Sequence, residues 1–126
     1  MYFSLLFLLT SFFQQDDWVL YHQDKKVEIY FKSHLCDDKK NGFSFEYYLI
    51  KVRNRTNETL VLNFFKGNDD NDEQKIAFVL NPNEVREGSC EYDPVKLRLF
   101  KSENSQKNNN HVYEFNLSKI NVIEVN

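Results

Sequence analysis

With 126 residues, 41% of them hydrophobic, the chain has room for one domain with a self-sufficient core. Residues 1–66 carry nine Lys/Arg against eight Asp/Glu and residues 67–126 seven against eleven, for a net charge of −3. Neither half supplies the basic field that nucleic acid or an anionic membrane requires.

Twelve Phe, seven Tyr, one Trp, one Met and a single Ala, Ala77, make a strand-forming alphabet. The fifteen Asn gather between apolar runs, where Asn favours turns.

The chain opens on MYFSLLFLLTSFF and meets a polar edge at Gln14. The apolar stretch from Tyr2 to Phe13 is far short of the roughly twenty residues of a membrane-spanning helix and has the length of a signal-peptide h-region. No Lys or Arg precedes it, and no small-x-small site precedes Gln14. The alternative, an N-terminal edge strand, would be a long flat apolar edge of the kind proteins avoid. Residues 1–15 are thus expected to be a signal peptide and 16–126 the mature domain, exported to the periplasm or cell surface with no membrane span.

In an exported chain the only two cysteines, Cys36 in HLCDD and Cys90 in GSCEY, read as a disulfide. The alternative is a pair of free buried thiols in a cytoplasmic protein. A zinc set is disfavoured, because neither CxxC spacing nor histidine pairs accompany them.

Beyond the leader, short runs alternate with turn chemistry. WVLYH at 18–22 precedes VEIYFKSHL at 27–35, where Val27, Ile29 and Phe31 alternate with Glu28, Tyr30 and Lys32. FSFEYYLIKVRN at 43–54 is the longest run, followed by TLVLNFF at 59–65 and KIAFVL at 75–80. NPNE forms a turn in which Pro82 ends the strand. VREGSC is a weak run, VKLRLFKS at 95–102 alternates again, and HVYEFNL and KINVIEV close the chain. About seven to nine strands at this spacing predict an antiparallel immunoglobulin-like β-sandwich.

The segments EYYLIKVRNRTNETLVLNF, LNPNEVREGSC, KLRLF and FNLSKINV together resemble a set of uncharacterised exported proteins of Bacteroidota-type bacteria, over about residues 18 to 124. The resemblance implies a single immunoglobulin-like sandwich at the periplasm or cell surface, and it implies no catalytic residues.

No catalytic constellation stands out. His22, His34 and His111 lie in separate runs without ligand spacing. There is no GxSxG, P-loop or GxGxxG, and no paired-carboxylate site can be picked from nineteen Asp and Glu. A non-enzyme with no metal and no cofactor is therefore expected. The run DDNDE at 69–73 lacks the ligand order of an EF-hand and reads as a solvated loop. The triplets NRT, NET and NLS, at Asn54, Asn57 and Asn116, read as chance in an Asn-rich chain.

Alternation carries the one positive signal. If Tyr48, Ile50 and Val52 face the core, then Phe45, Tyr47 and Leu49 point outward. The same logic turns Tyr30 and Phe65 outward. Tyr30, Phe45, Tyr47, Leu49 and Phe65 are accordingly expected to form an aromatic patch large for a monomer, the mark of a binding surface. The leading expectation is a non-enzymatic exported interaction module, an accessory component docking on a cell-envelope protein assembly. A small-ligand or carbohydrate binder using exposed Tyr and Trp18 is the alternative.

Overall fold

A computed structural model of the chain describes residues 17–38, 42–67, 74–103 and 114–125. The expected signal peptide, the acidic run at 69–73 and His111 lie outside the described residues. Among the described residues eight strands are formed: β1 (Val19–Gln23), β2 (Val27–Asp38), β3 (Phe43–Asn54), β4 (Leu60–Lys66), β5 (Lys75–Leu80), β6 (Val85–Glu87), β7 (Arg98–Glu103) and β8 (Leu117–Glu124). One sheet has the order β1-β2-β3-β6, with β7 also on β3, and the other has the order β5-β4-β8. Every pairing is antiparallel. Among the described residues no helix is long and apolar enough to cross a membrane.

The core forms where the two period-two patterns meet. Val27, Ile29, Ile50 and Val52 come from the five-stranded sheet, and Leu60, Leu62, Phe64, Phe78, Leu80 and Leu117 from the three-stranded one, all 6% exposed or less. Burial of each such side chain contributes roughly 1.5–3 kcal/mol. At one end, Phe31 stacks on Phe115 at 4.2 Å, with Tyr21 and Tyr48 edge-on to the same rings. The Tyr21 hydroxyl donates to the Leu117 carbonyl at 3.0 Å and accepts from the Leu117 N–H at 3.0 Å, clipping β1 to β8 across the sandwich.

The turns have specific causes. Asp24 Oδ1 accepts from the Lys26 and Val27 amides at 2.7 and 2.9 Å, an Asx turn between β1 and β2. Asn83 holds φ 60° in the NPNE turn, a conformation Asn tolerates better than most residues. Asn54, fully buried, joins the turn after β3 to the turn after β5. Its Nδ2 donates to the carbonyls of Glu58, Asn81 and Leu80 at 2.7, 3.0 and 3.3 Å. Its Oδ1 accepts from the Thr56 amide and hydroxyl at 2.8 and 2.7 Å. A glycan on Asn54 is incompatible with that burial.

The sandwich agrees with the sequence expectation, and the extents of four runs differ. The β2–β3 hairpin is longer at β2's end, continuing through Cys36 to Asp38. The weak run VREGSC is a strand only over Val85–Glu87, and Val95 and Leu97 precede β7 although Leu97 is 3% exposed. HVYEFNL is not a separate strand in its described part, because residues 114–116 are irregular and Leu117 opens β8. The first three strands share one sheet, unlike the ABED/CFG order of constant-type immunoglobulin domains.

Candidate functional site

The outward face of the five-stranded sheet gathers most of the side chains singled out by alternation. The register sets Tyr30 opposite Lys51, Lys32 opposite Leu49, His34 opposite Tyr47 and Cys36 opposite Phe45. Directly opposed residues project to the same side, so these form one continuous surface. β7 adds Arg98 opposite Leu49 and Phe100 opposite Tyr47.

Tyr30, Phe45 and Tyr47 are partly exposed on this face, as alternation predicts. Leu49 lies on it too, but at 5% exposure it is a floor rather than a contact surface. Its register places it between Lys32 and Arg98, two residues with long aliphatic stems. Phe65 is not part of the patch. It alternates with buried Leu62 and Phe64 on β4, so it points away from the core on the opposite sheet, near the ammonium groups of Lys75 and Lys119. Alternation finds the outward side of a strand but not which sheet the strand joins.

Two chemically distinct zones share the face. In the first, Phe45, Tyr47 and Phe100 make an aromatic triad, with ring centroids 5.9 to 6.5 Å apart. Phe100 is 38% exposed, and the Arg98 guanidinium lies 4.7 Å from the Tyr47 ring centre. In the second zone, Lys32 and Lys51 both lie over Trp18, at 4.6 and 5.1 Å, and Lys51 is also 4.9 Å from the Tyr30 ring. Phe100 and Arg98 were missed as site residues, although the alternation of VKLRLFKS puts Arg98 opposite the apolar set and two more residues reach Phe100.

At the edge of the second zone, Glu28 is 8% exposed and its carboxylate accepts from the Tyr30 hydroxyl at 2.7 Å. Arg53 and Arg55 stand 3.4 and 3.7 Å from its oxygens. The hydrogen bond to Glu28, helped by burial, holds the Tyr30 hydroxyl above its usual pKa. Tyr30 is thus fixed at its tip and presents its ring.

A disulfide braces this surface. Cys36 and Cys90 are joined, with their Cα atoms 5.5 Å apart, and an intact bridge belongs to an oxidising compartment. β6 and β7 lie along the same side of β3 as one edge interrupted by a loop. At its neck, Gly88 N–H donates to Ile50 O at 2.8 Å and Ile50 N–H to Leu97 O at 2.9 Å. The neck is so close that a Cβ on Gly88 would stand 1.9 Å from the Leu97 carbonyl oxygen. From Gly88 to Cys90 the chain spans at most ~7 Å. In a flat sheet Cys36, level with Phe45, would lie roughly 19 Å from Gly88, level with Ile50. The bridge therefore requires the sheet to depart from flatness between these two levels. Arg98 Nη1 donates to the Cys90 carbonyl at 3.0 Å, so the residue over Tyr47 also secures the loop.

Other features are modest. His22 contacts Asp24 at 2.7 Å beside an open cleft with Lys26 and Ile120. Among the described residues, no three His, Cys, Asp or Glu side chains are grouped to hold a metal ion.

Comparison of the chain with protein-family models, with curated proteins and with solved structures found no match. The class defined here is an antiparallel, disulfide-braced β-sandwich with an aromatic and cationic sheet face.

Proposed function

We propose that the chain is a non-enzymatic exported interaction module, an accessory component that docks on a cell-envelope protein assembly through the outward face of its five-stranded sheet. The observation that carries this reading is the triad Phe45, Tyr47 and Phe100 with Arg98 over Tyr47, on a disulfide-braced hairpin. Tyr, Trp and Arg are the residues that dominate protein interface energetics, and a rigid display lowers the entropy lost on binding. The disulfide and the resemblance to exported proteins support a periplasmic or cell-surface location.

The alternative, carbohydrate binding by Tyr and Trp18, has less support. Sugar stacking needs a free ring face, and cations lie over Trp18, Tyr30 and Tyr47. Affinity capture from the cell envelope, comparing the native chain with Tyr47→Ser/Phe100→Ser, separates the two. A stoichiometric protein partner lost in the folded double variant is the expected result. A partner retained by the variant, or saturable glycan binding that depends on Tyr47, would overturn the reading.

A further inference from the structure

We infer that the partner presents an acidic polypeptide segment, rich in Asp and Glu, to the lysine-bearing zone beside the aromatic triad. This rests on the docking reading above and adds the partner's chemistry to it.

The first support is charge segregation. The chain has a net charge of −3. Even so, among the residues whose side chains are described, the outward face of the five-stranded sheet carries Lys32, Lys51, Arg53 and Arg98 against Glu28 and Glu87, and the register puts Asp38 and Glu103 at the far end of the hairpin, level with Phe43 and Phe45. Glu28 is buried and already shared between Arg53, Arg55 and Tyr30. Glu87 sits on the short edge strand, opposite Lys51. The centre of the face is positive on a negative chain, and such a field selects partners of opposite sign and speeds their encounter.

The second support is local. Lys32 and Lys51 both stand within 5.1 Å of the Trp18 ring centre, so one indole is shared by two like charges. The ring quadrupole offsets part of their repulsion. A partner's carboxylate paired with either ammonium group would offset more of it, and the pairing would strengthen as the partner excludes water. A polypeptide fits better than an acidic sugar polymer because an extended strand places a side chain on one face every ~6.8 Å, the same repeat as Lys51, Leu49 and Tyr47 along β3. The cation-covered rings offer sugars little stacking surface.

Trp18 is the only tryptophan in the chain, so its fluorescence reports on this zone directly. The test is a titration of the purified, oxidised domain with poly-L-glutamate, with polygalacturonate and poly-L-lysine as comparators. Saturable binding of poly-L-glutamate is expected, weakening about tenfold from 50 to 300 mM salt as screening shortens the range of the charges. Lys32→Gln/Lys51→Gln, and separately Lys51→Glu, should weaken it at least about tenfold while keeping the far-UV circular dichroism of the native chain. Absence of binding, tighter binding to polygalacturonate, or unchanged affinity in both lysine variants would overturn the inference. If the acidic probe fails while Tyr47→Ser/Phe100→Ser still abolishes envelope docking, the acidic-partner inference alone falls. If docking also survives that double variant, the docking reading falls with it.

Discussion

Asn54→Ala tests how the turns at one end of the sandwich are held. Four of the native side chain's hydrogen bonds are 3.0 Å or shorter: to the carbonyls of Glu58 and Asn81, and from the amide and hydroxyl of Thr56. A hydrogen bond contributes about 1 kcal/mol net, and its loss costs more where a carbonyl is left buried without a partner. The alanine variant should therefore lose about 4 kcal/mol, a large part of the roughly 5–15 kcal/mol expected for a whole domain. At about 4 °C per kcal/mol the melting temperature should fall by roughly 15 °C. Urea unfolding followed by far-UV circular dichroism, with the m-value as a check on two-state behaviour, measures this. Asn54→Asp gives a second readout: it keeps the shape but turns a donor into a carboxylate facing three carbonyl oxygens, so it should be at least as damaging at neutral pH. Its deficit relative to the native chain should shrink on acidification, when the protonated carboxyl regains a donor. A loss under ~1.5 kcal/mol in the alanine variant would refute the reasoning, because water would then be replacing the amide.

Further outcomes follow from the same contacts. Cys36→Ser/Cys90→Ser removes a crosslink spanning 54 residues and should lower stability by about 4 kcal/mol in chemical denaturation, mainly through the unfolded chain. Gly88→Ala forces a Cβ against the Leu97 carbonyl oxygen and should cost at least ~2 kcal/mol, with faster amide exchange at Ile50 and at position 88 itself. Burial, with added repulsion from Lys96 and Arg98, holds Lys66 below its usual 10.5 while its Nζ donates to the Arg98 carbonyl. Between the folded and unfolded pKa values the unfolded chain binds more protons, so this group makes stability rise with pH in the window just below 10.5. Lys66→Met should flatten that rise, and an unchanged slope in pH-dependent melting would count against it. Tyr30 acts oppositely: its raised pKa favours the folded chain below 10.0 and that contribution fades as pH rises above it, so Tyr30→Phe should reduce the alkaline loss.

Much of the architecture was legible in the sequence because strands alternate with the pleat. Val27, Ile29, Phe31, Tyr48, Ile50 and Val52 fall on the core side by period two alone, and all but the half-buried Phe31 are buried. The two cysteines could be paired because no others compete. The interrupted edge could not be read, because it depends on Gly88 and Leu97 meeting across eight intervening residues, a contact that leaves no periodic trace. Local pattern also could not show that Leu49 lies between two long cationic side chains, or that Phe65 sits on the other sheet. Both depend on which strands become neighbours, and that is settled by tertiary pairing. The cations over Trp18, Tyr30 and Tyr47 are cross-strand contacts of the same kind.

The docking claim is tested most directly by site-specific photo-crosslinking in intact cells, with the photoreactive residue at position 100 in one chain and at position 79 in another. Phe100 and Val79 are both exposed, at 38% and 50%, and lie on opposite sheets of the sandwich. A discrete protein adduct from position 100 and none from position 79 is the expected result. An adduct from position 79 alone, or none from position 100, would contradict the docking claim.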